Sequence, residues 1–533
     1  MTVSKLSLSV AAAMVASITS AWAALSAPLL TLDVKNYESL TADIGQVADV
    51  VGEDPAMVPA QLEAMLGAEV MALVDASQPW HLAVWMESLM QPPVYALALP
   101  IADFETFETA IQTSFLGMMG AQYIDAGERV VVFGSKPGIP VADSWAALLA
   151  SYANALVLEP SETVQLSFSL NESMRTAAVA GLAMAKGQMM ASMDAAELAD
   201  SGIPPETMQA MMESYLSFYI NMLRDLDRMD LGMSVDENDW KFALELTPLA
   251  NTPSARFLAS QNVDISDIAN AVDWDADIAV AMGMGALPAE WQTSMEAFMQ
   301  AMMPLYGLED AAAAEWVEVT QRSLPFKGVY SMDFAEGMSF SGFYEILQGS
   351  AAEVYESWIS LCEGLVVDES AMVAYYSDIV VKRGYRSEAG HPVDFMELTV
   401  NPDHPAMASP EQEEVMNQFF KDGKIAYEMC LIDDRIYMGT QGDLSSTIAG
   451  ASSLPAIEIN EKTRIAGSMN FISLMKMGAS VAGEDAELDL SEVDTVGNQI
   501  TFSAEVDNSL LMKTKLPLQL IKVFRELDEA GSL

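Results

Sequence analysis

Two stretches far apart in this chain follow one plan, and a chain that repeats a plan is constrained to fold as repeated units. One is Glu128-Arg-Val-Val-Val-Phe-Gly-Ser135 and the other is Asp434-Arg-Ile-Tyr-Met-Gly-Thr440. Each opens on an acid and an arginine, continues through β-branched or aromatic residues, and stops at Gly-Ser or Gly-Thr. That is a short strand bounded by turn chemistry. Upstream of each lies a second alternating run bracketed by prolines, Pro93–Pro100 and Pro392–Pro402.

A hairpin pattern recurs as well. Met233–Leu246 and Tyr330–Phe343 each hold an acidic turn between alternating runs, and helix starts follow them at Pro253 and Gly349. Val493–Val506, turning at Gly497 and Asn498, reads as a third, truncated version. Single alternating strands at Val164–Leu170, Asp277–Met282 and Arg464–Met469 run into helical patterns. Helices are expected at Pro59–Val74, Phe104–Phe115, Met174–Ala199, Pro205–Asp225, Ala289–Met303, Ala311–Arg322 and Pro410–Phe420.

Alternation with period two means one buried face per strand, as in antiparallel sheets and unlike the doubly buried strands of parallel ones. The fold class expected is therefore α+β: two tandem diverged copies of a unit with mainly antiparallel sheet and helices packed on one face. The copies divide as residues 24–265 and 266–533. The join falls near Gln261–Ala271, where no Pro/Gly/Ser spacer separates them. A closing amphipathic helix at Leu516–Leu527, with Leu518, Leu520, Ile521, Val523, Phe524 and Leu527 on its apolar side, is expected to pack on the second copy.

The first 23 residues have the parts of a secretory signal. Lys5 precedes an apolar run from Leu6 to Ile18, and Ala21-Trp-Ala23 fits a small-x-small cleavage site. A cleaved signal implies a periplasmic or extracellular protein, and no later uninterrupted apolar run is of spanning length, so no integral membrane segment is expected afterwards. The chain carries 76 acidic against 25 basic residues, a formal net charge of −51, and a field of that sign repels nucleic acid. The acids are dispersed, which suits a solvated surface. Cys362 and Cys430 are the two cysteines of the sequence; in an oxidising compartment they can form one disulfide, and otherwise they are buried free thiols.

Methionine is the unusual residue type, with 38 copies. Met295, Met299, Met302 and Met303 fall at helical spacing, as do Met208, Met211 and Met212, with a further group at Met184, Met189, Met190 and Met193. Helical spacing is what a core face requires, and methionine fills irregular gaps. The same adaptability suits a groove for an apolar ligand, with Met208, Met212, Met295 and Met299 as its walls.

Metal and catalytic patterns fail on inspection. His391 and His404 stand at opposite ends of a strand, which argues against a shared ion. Asp273-x-Asp-x-Asp277 begins like a calcium loop but has Ile278 where glycine is required. Ser473-Leu-Met-Lys476 matches S-x-x-K, yet Lys513-Thr-Lys515 lacks the glycine of the companion motif. No catalytic residue, metal ligand or cofactor is therefore assigned. The expectation is an exported non-catalytic binding or scaffold protein for a protein partner or apolar small molecule. The alternatives are a secreted hydrolase with an unrecognised site and an acidic, cation-dependent surface or matrix component.

Overall fold

The structure is a computed structural model that describes residues 28–86, 93–134, 162–192, 205–302, 310–334, 338–364, 376–401, 423–450, 457–482 and 498–529. The signal-like segment, the expected helix Pro410–Phe420 and the segment after Gly134 lie outside these residues. No helix among the described residues is long and apolar enough to cross a membrane.

The chain runs first through β1 (Leu30–Val34), α1 (Tyr37–Val51), α2 (Met57–Leu66), α3 (Ala68–Met71), β2 (Trp80–Trp85), β3 (Val94–Leu99), α4 (Phe104–Ile111), α5 (Phe115–Met118), β4 (Gln122–Asp125) and β5 (Val130–Gly134). It then passes through β6 (Val164–Ser169), α6 (Glu172–Ser192), α7 (Pro205–Asp225), β7 (Leu226–Val235), β8 (Asp239–Pro248) and α8 (Pro253–Ser260). A third passage holds β9 (Ile278–Met284), α9 (Ala289–Met302), α10 (Asp310–Arg322), β10 (Phe326–Asp333), β11 (Ser339–Ile346) and α11 (Ala351–Gly364). Two hairpins follow, β12 (Tyr376–Glu388) with β13 (His391–Val400) and β14 (Lys424–Ile432) with β15 (Arg435–Thr440), then α12 (Leu444–Ala449). The last passage is β16 (Thr463–Asn470), α13 (Phe471–Ala482), β17 (Gln499–Val506), β18 (Leu510–Pro517) and α14 (Leu518–Glu529).

Side-chain caps start many of these helices, since the first turn leaves backbone N–H groups without partners. Asn36 accepts from Ser39 N at 2.7 Å ahead of α1, and Asp103 accepts from Thr106 N at 3.0 Å ahead of α4. Thr252 accepts from Ala255 N at 3.3 Å ahead of α8, and Asn470 accepts from Ser473 N at 3.2 Å in α13. The expected helix Pro59–Val74 is broken at Gly67, whose φ of 88° takes the backbone out of the helical well.

The contacts divide the chain into two compact units. Unit 1 gathers residues 1–185, 223–249 and 515–525; unit 2 gathers 186–222, 250–514 and 526–533. In unit 1 the strands lie in the order β4-β5-β3-β2-β1-β6-β7-β8, every neighbour antiparallel. In unit 2 the order is β12-β13-β14-β15-β11-β10-β9-β16-β17, again antiparallel throughout. Helices with a large antiparallel sheet make the fold α+β.

Three details differ from the sequence expectation. The closing helix forms, with Leu520 fully buried and Leu518 and Val523 nearly so, but residues 515–525 belong to unit 1 and not to the second half of the chain. There Leu518 N donates to Asn238 O at 2.8 Å, and Arg525 Nη1 donates to Val50 O at 2.7 Å at the end of α1. Secondly, the proline-bracketed stretches Pro93–Pro100 and Pro392–Pro402 occupy unlike places: β3 sits between β2 and β5, whereas β13 sits between β12 and β14. Thirdly, the last hairpin, β17 with β18, turns at Asp507–Ser509, where Asp507 N donates to Ser509 O at 3.1 Å; the expected turn residue Gly497 lies outside the described residues.

Burial is also two-sided. In β5, Val130 and Val132 join Phe107, Ile111, Leu66 and Trp80 in the core under the helices, while Val131 and Phe133 join Ala83, Trp85, Ala96 and Ala98 on the opposite face. Unit 2 repeats the arrangement. Met429 and Ile436 meet Val354 and Ile359 of α11 on one face, while Cys430 and Tyr437 meet Val393, Trp274 and Leu444 on the other. Burying both faces raises the apolar area removed from water per strand, which is the dominant favourable term in folding.

Candidate functional site

The methionines at helical spacing come together in unit 2. Met295 and Met299 lie one turn apart on α9, so their side chains share a face. That face meets Met284 at the end of β9, Val317 and Thr320 on α10, and Phe326 at the start of β10, around a cavity of about 70 Å³. Its few polar groups are committed elsewhere. Thr320 Oγ1 donates to Trp316 O at 3.0 Å, Ser323 Oγ donates to Thr320 O at 2.6 Å, and Gln321 Nε2 donates to Glu296 Oε1 at 2.6 Å. The lining therefore presents chiefly hydrocarbon and thioether, which favours an apolar guest.

Met212 is half-buried on α7 and is not in the lining; for Met208 only the helix is described, not the side chain. The helix α7 meets α9 elsewhere, where Phe218 packs edge-on against Trp291 at 5.2 Å. Trp291 also packs on Phe257 at 4.7 Å and donates from Nε1 to Pro253 O at 3.0 Å. Of the four methionines expected as one groove, Met295 and Met299 line the cavity and Met212 does not.

The cysteines are both free thiols, Cys362 half-buried on α11 and Cys430 fully buried on β14. Cys430 faces the core of Val393, Tyr437 and Trp274, and Cys362 lies on the helix that covers the other face of the sheet. The disulfide expected as one outcome is absent, and the other outcome, free thiols, is what the structure holds. Burial pushes the Cys430 thiol up to about 11 and raises that of Cys362 as well, so both are poor nucleophiles.

Two polar networks escape sequence reasoning. In unit 1, His81 is a β2 residue, and its Nδ1 lies 2.6 Å from Asp33 Oδ1 on the neighbouring β1. Its Nε2 is buried without a partner among the described residues. In unit 2, Glu428 on β14 is 1% exposed and accepts from Arg386 Nε at 2.9 Å and Nη2 at 2.7 Å and from Tyr385 OH at 3.1 Å. Arg386 also pairs with Glu388. On the opposite face of the sheet, Tyr355 OH donates to Asp394 Oδ2 at 2.9 Å, and Gly384 N donates to Asp394 Oδ1 at 2.7 Å from the β12 bulge. The Arg386 hydrogen bonds hold the Glu428 carboxyl below the usual carboxylate range. The partners in these networks come from elements far apart in sequence.

The remaining sequence candidates do not converge. His391 opens β13, and His404 lies outside the described residues. Asp273, Asp277 and Asp333 sit near one another, and burial followed by the charges of Asp277 and Asp273 raises the Asp333 carboxyl. No group of three or more His, Cys, Asp or Glu suited to a metal ion occurs among the described residues. Ser473 starts α13 with its N–H on Asn470, an ordinary capping contact. No protein-family model matches the chain, and comparison with curated proteins and with solved structures gives no match.

Proposed function

We propose that this is an exported binding protein that holds an apolar small molecule in the methionine-walled cavity of unit 2. The observation that carries the reading is the cavity itself. Three thioether side chains, Met284, Met295 and Met299, surround it, and the polar neighbours already have partners. Ligand pockets usually measure about 300–1,000 Å³, so a cavity of about 70 Å³ must open to admit more than a small fragment. Methionine is the side chain suited to that, because it is unbranched and repacks easily. Export is supported by the signal-like residues 1–23.

The scaffold reads as the product of duplication. Leaving aside the β12–β13 hairpin and β8, the strand orders of the two units correspond one to one: β4-β5-β3-β2-β1-β6-β7 with β14-β15-β11-β10-β9-β16-β17. A finer period is supported too. The order strand, one or more helices, two strands, helix begins at β1, β6, β9 and β16, and Asn36, Asn171 and Asn470 stand where three of these first strands pass into a helix. Within each unit the first strands of two such modules pair antiparallel, β1 with β6 and β9 with β16. The cavity belongs to the third module, beneath its helix pair α9 and α10.

Native mass spectrometry of the protein exported by its own cell, compared with its denatured mass, tests the reading. A retained extra mass that disappears in Met299→Trp, which fills the cavity, supports it. A native mass equal to the denatured mass, together with a melting temperature unmoved by apolar fluorescent probes, refutes it. The denatured mass also reports whether residues 1–23 have been removed.

A further inference from the structure

We propose that the chain forms a two-fold homodimer by antiparallel pairing of β12 with the β12 of a second copy. The starting observation is where the sheets end. Among the described residues of unit 1 the sheet stops at β4, a strand of 4 residues, which is too short to template much pairing. In unit 2 the β12–β13 hairpin extends the sheet beyond β14 and ends it on a strand of 13 residues. Among the described residues β12 pairs only with β13, which leaves its outer row of N–H and C=O groups without a strand partner there. Such a row is a ready template for another strand.

The side chains select the partner and the register. Asp378–Lys382 is the regular part of β12, bounded by irregularities at Tyr376/Asp378 and Lys382/Arg386. Only outward-facing residues can exchange hydrogen bonds with a new strand, so self-pairing registers step by two residues. Centring the two-fold axis on Ile379 sets Asp378 opposite Val380, and centring it on Val381 sets Lys382 opposite Val380. Centring it on Val380 sets Asp378 opposite Lys382 of the second copy twice over, with Ile379 opposite Val381 between them. Asp378 and Lys382 are both exposed, and neither makes an ion pair among the described residues; Lys382 stands over the Phe395 ring at 5.1 Å. A closed, isologous contact of this kind satisfies every outward group of the segment on both copies.

The charges also explain why this edge would join copies of the chain and resist indiscriminate pairing. A flat apolar edge aggregates, whereas exposed lysine and arginine with a bulge limit partners to those of matching charge. Gly384, at φ 54°, and the bulge around it end the ladder just after Lys382.

Sedimentation velocity of the intact protein over a concentration series is the test. The expected result is a species of about twice the 57.5 kDa chain mass. Asp378→Lys sets lysine against lysine, and Lys382→Asp sets aspartate against aspartate, at two symmetric positions. Each variant alone is expected to weaken the dimer about tenfold or more. The double variant D378K/K382D restores it, and an equimolar mixture of the two single variants forms a heterodimer. Unchanged thermal melting of each variant guards against misfolding. A protein that stays monomeric at high concentration, or a dimer indifferent to these reversals, overturns the proposal.

Discussion

Replacing Glu428 by glutamine tests the most deeply buried ion pair among the described residues of unit 2. The carboxylate is 1% exposed and receives two guanidinium N–H bonds and one phenol bond; the guanidinium of Arg386 is 26% exposed and keeps Glu388 as a second partner. Glutamine preserves the shape, but its NH2 group faces a guanidinium that can only donate. Breaking a buried pair by removing one partner costs about 3–5 kcal/mol. Because Arg386 retains Glu388 and some solvent, the lower end applies: about 3 kcal/mol, roughly a hundredfold in the folding equilibrium. The pH dependence has a definite sign. A carboxyl held below its unfolded value contributes stability that is fully present above the unfolded carboxylate range and is lost as pH falls through the lower folded value. Native-state hydrogen exchange of β13–β15, followed in urea between pH 3 and 7, reads both quantities within unit 2. Two outcomes refute the reasoning: a loss under about 0.5 kcal/mol, or an acid-side slope that Glu428→Gln leaves unchanged. A control sharpens it. Replacing Arg386 and Glu428 together by leucine should recover most of the loss, because an apolar pair carries no stranded charge.

Other residues give equally direct tests. Tyr355→Phe removes the hydroxyl from Asp394 and Met429 O, leaving a buried acceptor short of a donor. The expected cost is about 2 kcal/mol in urea unfolding, and no measurable change would mean that water already serves Asp394. Both cysteines should resist maleimide in the native protein at neutral pH, and both should react after denaturation without reductant. A denatured mass showing neither thiol labelled would refute the free-thiol state. Phe107→Ala, at a side chain with no exposed surface under the unit 1 helices, should cost about 3–5 kcal/mol and should loosen α4 first in hydrogen exchange.

Much of the local structure was legible because it rests on periodicity. The β5 and β15 strands, the hairpins β7–β8 and β10–β11, and α7 at Pro205–Asp225 fall where alternation and helical spacing put them. The first helix, Tyr37–Val51, escaped notice because Thr41, Ile44, Val47, Val50 and Gly45 dilute its helical signal; the Asn36 cap was its one readable mark. Prolines around β3 and β13 imitated a repeat because they mark strand ends of any kind. The site was half legible. One helical turn brings Met295 to Met299, whereas Met208 and Met212 needed knowledge of how α7 packs. The His81–Asp33 and Arg386–Glu428 pairs depend on strand neighbours, which no local pattern reveals.

The assignment of residues 515–525 to unit 1 separates the order of synthesis from the order of assembly. Domains commonly fold in sequence as the chain emerges, the N-terminal one first. Here the N-terminal unit waits for a helix that follows the strands of unit 2 in sequence, with Leu520 fully buried and Arg525 donating to Val50 O at the end of α1. Until then it lacks part of its interior, whatever the progress of the residues between.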